Sequence, residues 1–209
     1  MIAPQVRTVV NLSSYAELAV RLANTAVLAP GEPDPLGTAA ACNSALGDCL
    51  TGPVTRRDLD VLQYVRAEFT AIFSAAAAGD DEAAMARMNA LLLQFPVQPE
   101  LVSHDDQRWH VHLARHGSVA DRFAAGAVIG MALTVSVIGV RRLGVCAIAA
   151  CPRVFLDASR GKSRRYCTEH AAAKANVSTL RPQSDGHPTR TSATGARTAA
   201  PRDATPAAS

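Results

Sequence analysis

The chain has 209 residues, 48% of them apolar but only 4% aromatic, with a formal net charge of +3. That is enough apolar material for one substantial core plus a small appendage, and abundant alanine with few aromatics favours a core of Ala, Leu and Val on helices. The opening run MIAPQVRTVVNLSSYAEL has no uninterrupted apolar stretch and there are five cysteines, so secretion is not expected and a reducing cytoplasm is.

Charge is unevenly placed. Residues 1–140 carry nine basic against fourteen acidic side chains, a balance of −5, whereas residues 141–181 carry nine against two, a balance of +7. The remaining 182–209 add three against two. Such asymmetry marks an appended unit that binds nucleic acid or another polyanion.

In chain order, Ser14-Tyr15-Ala16-Glu17 has the capping-box pattern and predicts a first helix running to about Ala29, ended by Pro30-Gly31. A loop punctuated by Pro and Gly follows as far as Pro53, with one short helix expected over residues 38–46. Leu59, Leu62, Val65, Phe69, Ile72 and Phe73 recur at helical spacing and predict a long second helix from Arg57 or Asp58, with Gly79 just past its end. Asp80 or Asp81 is placed to cap a third helix through Phe95, which Pro96 stops.

The period then changes to two. Trp109, Val111 and Leu113 alternate with His110, His112 and Ala114, predicting a strand paired with residues 101–103 across an Asp105-Asp106 turn. Ser118, with Asp121 three residues on, caps a helix holding the uncharged run 124–140. A membrane span needs at least about 17 apolar residues. This run only just reaches that length, is diluted by Gly126, Gly130 and Gly139, and has no second span beside it. A buried central helix is expected instead.

The chemistry gathers near the C-terminus, in GVCAIAACPRVFLDASRGKSRRYCTEH. Cys146 and Cys151 form a C-x4-C pair, and Cys167 and His170 a C-x2-H pair. Zn²⁺ takes thiolate and imidazole ligands in a tetrahedron, and two such pairs on short loops close it. Between the pairs, Val145-Cys146 reads as the end of one strand, residues 147–150 as a knuckle and residues 153–156 as the returning strand, and a helix starting near Tyr166 places Cys167 and His170 on one face. A hairpin knuckle followed by a helix N-terminus is a treble-clef-like arrangement, and metal binding should supply much of its folding free energy. Arg160, Lys162, Arg164 and Arg165, then Lys174 and Arg181, surround it with only Asp157 and Glu169 as carboxylates. These six cations are the candidate phosphate contacts, and DNA the expected partner.

Residues 141–181, with C-x4-C followed by VFLDASRGKSRRYC, resemble the CGNR zinc-finger family of bacterial proteins. Upstream, RLANT at 21–25 and DLDVLQYVRAEFTAIFSAAAAG at 58–79 resemble the ABATE domain that precedes the finger in that family. The resemblance implies a stress-induced transcription regulator with a helical N-terminal domain and a C-terminal zinc finger. The Cys-Gly-Asn-Arg signature itself would fall on Ala171-Ala172-Ala173-Lys174, so its cysteine is missing and His170 is expected to complete a Cys3His site.

The expected fold class is therefore mainly α with a small β-hairpin: a helical N-terminal domain over 1–140, a treble-clef-like zinc-binding domain over 141–181 and a disordered tail over 182–209. The expected function is non-enzymatic DNA binding, with the N-terminal domain sensing a small-molecule or protein effector. A zinc-stabilised protein–protein interaction module is the closest alternative. A metal-dependent enzyme using the patch His104, His110, His112 and His116 with Asp105 and Asp106 stands behind both.

Overall fold

A computed structural model describes residues 12–26, 31–102, 109–113 and 116–179. Among the described residues, six α-helices, α1 (Leu12–Asn24), α2 (Ala39–Leu46), α3 (Arg56–Ala78), α4 (Asp81–Gln94), α5 (Val119–Ile138) and α6 (Thr168–Thr179), are accompanied by two antiparallel ribbons. The ribbons are β1 (Glu100–Val102) with β2 (His110–His112), and β3 (Leu143–Val145) with β4 (Val154–Leu156).

The helices with strong terminal signals lie where the sequence puts them. Thr55 caps α3 in a reciprocal capping box with Asp58, and Ser118 caps α5 in another with Asp121. Gly79 adopts a φ of 87° and turns the chain out of α3, a conformation that costs glycine little. Thr38 caps α2 and Asp80 caps α4.

The first helix differs from expectation at both ends. It begins at Leu12, so Ser14 to Glu17 lie inside it, and it stops at Asn24 rather than near Ala29. Thr25 explains the stop: its hydroxyl and its amide both donate to the Leu22 carbonyl, at 2.7 and 3.1 Å, tightening the last turn.

The core is built around α5, which packs on α1, α3 and α4. By length and composition α5 is apolar enough to cross a membrane, yet Phe123, Ala124, Ala127, Val128 and Met131 are buried inside the protein. From α3 come Leu62, Val65, Phe69, Ile72 and Phe73, from α1 Ala19 and Leu22, and from α2 Cys42 and Leu46.

The contact between α1 and α5 is unusually close because Gly130 has no side chain. A Cβ there would stand 2.4 Å from the Tyr15 Cβ and 2.8 Å from the Ala16 nitrogen. The β3–β4 hairpin packs on α3 and α1, and Leu143 and Val154 belong to the same buried cluster as the helices. Asn24, the last residue of α1, binds the edge of β4 twice: its amide donates to the Val154 carbonyl at 3.0 Å and its oxygen accepts from the Val154 amide at 2.8 Å.

Candidate metal centre

Backbone bonds shape the knuckle between β3 and β4. The Cys146 amide donates to the Arg153 carbonyl at 2.8 Å, carrying the ladder one residue past β3. The Cys151 amide donates to the Ile148 carbonyl at 2.9 Å, closing a tight turn, and Ala147 donates to Arg165 at 2.8 Å, tying the knuckle to the segment before Cys167. That cysteine immediately precedes α6, which starts at Thr168 rather than Tyr166; its carbonyl accepts the Ala171 amide at 2.9 Å. The N-terminus of α6, with its partial positive charge, therefore adjoins the sulfurs.

Four potential ligand atoms converge here. The sulfurs of Cys146, Cys151 and Cys167 and a ring nitrogen of His170 all lie within 4.8 Å of one another. His170 Nδ1 stands 3.3 Å from the Cys146 Sγ and 3.4 Å from the Cys167 Sγ, and the Cys151 and Cys167 sulfurs are 4.0 Å apart. A Zn²⁺ tetrahedron with Zn–S about 2.3 Å and Zn–N about 2.0 Å has S–S edges of about 3.8 Å and S–N edges of about 3.5 Å. These three separations match the edges of a zinc tetrahedron within a few tenths of an ångström, and soft thiolates with an imidazole are the donors that ion prefers. Bound there, zinc would cross-link the knuckle to α6. Ala171, where the signature cysteine would fall, is exposed, and His170 Nδ1 supplies the fourth donor.

The thiols are electrostatically unequal. Burial raises the Cys146 pKa, but the amides of Cys167 and Ile148, followed by His170 and Cys151, outweigh it and bring the value down to about 6. Burial, with the neighbouring Cys146 and Cys167 thiols, pushes Cys151 up. Cys146 is thus poised as a thiolate at neutral pH, whereas metal capture must displace the proton of Cys151.

The basic loop has an architecture the sequence did not reveal. Asp157 is buried, and its Oδ1 accepts the Ser159 amide at 2.9 Å while its Oδ2 accepts the Arg164 amide at 3.2 Å. Burial raises the Asp157 pKa, yet these bonds, the Ser159 hydroxyl and the Arg142 charge 3.7 Å away leave it lowered. Asp157 is the peg on which residues 158–164 hang. An Asp two residues before a Ser is a recognisable Asx-turn signal, so this role was open to sequence reasoning.

Arg160 and Lys162 on that loop and Arg165 directly after it are exposed, as phosphate contacts must be. Arg164 is half-buried and bonded within the finger. Its guanidinium donates to the carbonyls of Tyr166 and Leu156 at 3.1 and 3.2 Å and to the Thr168 hydroxyl at 2.9 Å. It also lies over the Phe155 ring, 5.0 Å from the centroid. That ring in turn covers Gly144, where a Cβ would fall 2.5 Å from it. These contacts let Arg164 brace the finger. Lys174 lies in α6, and Arg181 is outside the described residues.

Of the histidine patch, His110 and His112 occupy β2, and His116 Nε2 lies 2.9 Å from Glu100 Oε1. His104, Asp105 and Asp106 fall outside the described residues, as does the expected tail from 182. Among the described residues, the Cys3His group is the cluster able to hold a metal.

Comparison with known families agrees with this centre. The CGNR zinc finger model matches residues 142–182, and the ABATE model, described as a putative stress-induced transcription regulator, matches residues 16–151. No curated protein matches the chain. The helical core, the knuckle and the Cys3His cluster are thus parts of one pattern, and the chain belongs to the ABATE family with a C-terminal CGNR zinc finger.

Proposed function

We propose that this chain is a cytoplasmic DNA-binding regulator, non-catalytic, in which the zinc-held finger presents Arg160, Lys162 and Arg165 to phosphates and the helical part receives an effector. The observation that carries the reading is the pegged loop: three exposed cations on a segment fixed by Asp157, beside a Cys3His cluster. The description of the matched family supports it. Contacts of this type give affinity by releasing counterions, with base reading left to other side chains.

Fluorescence anisotropy on duplex DNA at several salt concentrations tests it. Three phosphate contacts give a slope of log affinity on log salt of about −2.7. Replacing Arg160 and Arg165 together with Ala should flatten that slope to about −0.9 while zinc content stays unchanged. Binding that ignores salt, or a slope the double variant leaves intact, refutes the phosphate assignment and favours a protein partner.

A further inference from the structure

A cavity of about 290 Å³ lies between α1 and the N-terminal half of α5, away from the metal cluster. That is close to the lower end, about 300 Å³, of small-molecule sites. Val119 and Phe123 form a buried apolar floor, and Tyr15 and Leu18 of α1 form a wall. The Tyr15 ring lies against Gly126, where a Cβ would come within 3.0 Å of it.

The rim is polar and carries a cation, Arg122. Its guanidinium donates to the Gly117 carbonyl at 2.7 Å and the Thr51 carbonyl at 2.6 Å, which fixes its plane. Among the described residues no carboxylate forms an ion pair with it. Two carboxylates stand at the same helix end without pairing with it: Asp121 accepts the Ser118 amide at 3.0 Å, and Asp58 accepts the Ala120 amide at 2.9 Å. The other nearby cation, Arg21, already pairs with Asp48 at 2.7 Å and donates to the Cys49 sulfur at 3.1 Å. Arg122 also sits in the first turns of α5, where the helix dipole disfavours positive charge.

From this we infer that the cavity binds a small monocarboxylic acid, its carboxylate on Arg122 and its apolar body between Tyr15, Leu18 and Phe123. Guanidinium pairs with carboxylate in a planar, two-bond geometry that an amide or alcohol does not match. The same α1 that walls the cavity ends at Asn24, the residue gripping β4 of the finger. The site thereby deepens the effector half of the proposed function and rests on it only for its regulatory meaning.

The test is a ¹H–¹⁵N NMR titration of the full zinc-loaded chain with phenylacetate, salicylate and octanoate, each against its neutral amide, with no DNA present. At least one acid should saturate, shift the amides of Leu18, Phe123 and Gly126, and bind at least about tenfold tighter than its amide. Arg122→Met should bring the acid down to the amide's affinity. Should that variant fail to fold, Leu18→Trp, which fills the cavity from the α1 side, should abolish the shifts while zinc is retained. Overturning results are no saturable acid, an acid no tighter than its amide, or shifts confined to other regions. A chain that binds acid but not DNA sinks the DNA reading alone; one that binds DNA but no acid sinks this inference alone.

Discussion

Asp58 shows how much a single buried carboxylate organises in this protein. Its Oδ2 accepts the Thr55 amide at 2.9 Å and the Thr55 hydroxyl, while its Oδ1 reaches across to the Ala120 amide in the first turn of α5 at 2.9 Å. Two helix starts share one negative charge, where each dipole favours it. Burial, the largest influence, raises the Asp58 pKa, but the Thr55 hydroxyl, the Ala120 and Thr55 amides and the Ser118 hydroxyl together lower it to about 2. A folded-state pKa below the unfolded value of about 3.9 means that the native state favours the ionised form. Its stabilisation, about 2 kcal/mol, is complete above pH of about 4 and disappears as pH falls towards about 2. Urea unfolding at neutral pH and near pH 3 reads this directly. Asp58→Asn should lose about 2 kcal/mol at neutral pH and show a shallower acid decline than the parent. An identical pH dependence in both would mean the carboxylate is not the acid-sensitive group.

At the scale of elements, the seam between α1 and α5 depends on two glycines of unequal importance. A methyl at Gly130 would meet backbone, the Tyr15 carbonyl carbon at 2.7 Å and the Ala16 nitrogen at 2.8 Å, so the helices must separate to admit it. At Gly126 it would meet the edge of the Tyr15 ring at 3.0 Å, and a ring can swing. Alanine in a helix interior gains about 0.5–1 kcal/mol over glycine, while overpacking costs about 1–3 kcal/mol. Gly130→Ala should therefore lower stability by about 1–2 kcal/mol net, and Gly126→Ala should sit near neutrality. A thermal melt series ranks them, and the reverse order would show that the seam is not tight at Gly130. The Asn24 clamp belongs to the same scale. Asn24→Leu removes a donor and an acceptor from Val154, costing about 1–3 kcal/mol of local stability. Hydrogen exchange at the Val154 amide should then accelerate at least about tenfold, with other hairpin amides following.

These elements also show what the sequence made legible. Capping signals at Ser118 and Asp80, the left-handed Gly79 and the period of α3 fixed most helix limits, because each depends on residues within a few positions. The Cys3His set was readable for the same reason: its spacing within each pair is local chemistry. The capping-box pattern at Ser14 misled because α1 already runs two residues earlier. Asn24 against Val154 and Asp58 against Ala120 span 130 and 62 positions, and no local pattern announces such partners. Arg164 reads as a candidate phosphate contact because charge is visible in sequence, whereas the carbonyls and ring that also engage it are brought there by the fold.

For the molecule as a whole, the joint between finger and helices decides what the metal holds together. A finger of this size that stood alone would unfold without its ion, since its apolar content is too small to fix it. Here β3 and β4 are partly independent of that rule. Leu143 and Val154 are buried in the helical cluster, and Asn24 holds the β4 edge from outside the finger. By contrast, the knuckle, the segment carrying Arg165 and the first turn of α6 meet at the four ligand side chains. Arg153 adds only a partly exposed ion pair to Glu169 at 2.9 Å, a contact worth at most about 1 kcal/mol. Metal removal should therefore split the finger. Chelation with a high-affinity zinc ligand should leave β3 and β4 protected from hydrogen exchange while the amides of residues 147–151 and 167–173 lose protection. Far-UV circular dichroism should fall only by the share of α6, and the main thermal transition should persist. If chelation instead unfolded the hairpin together with the helices in one transition, the ion would be holding the entire core, and the packing of Leu143 and Val154 would count for little.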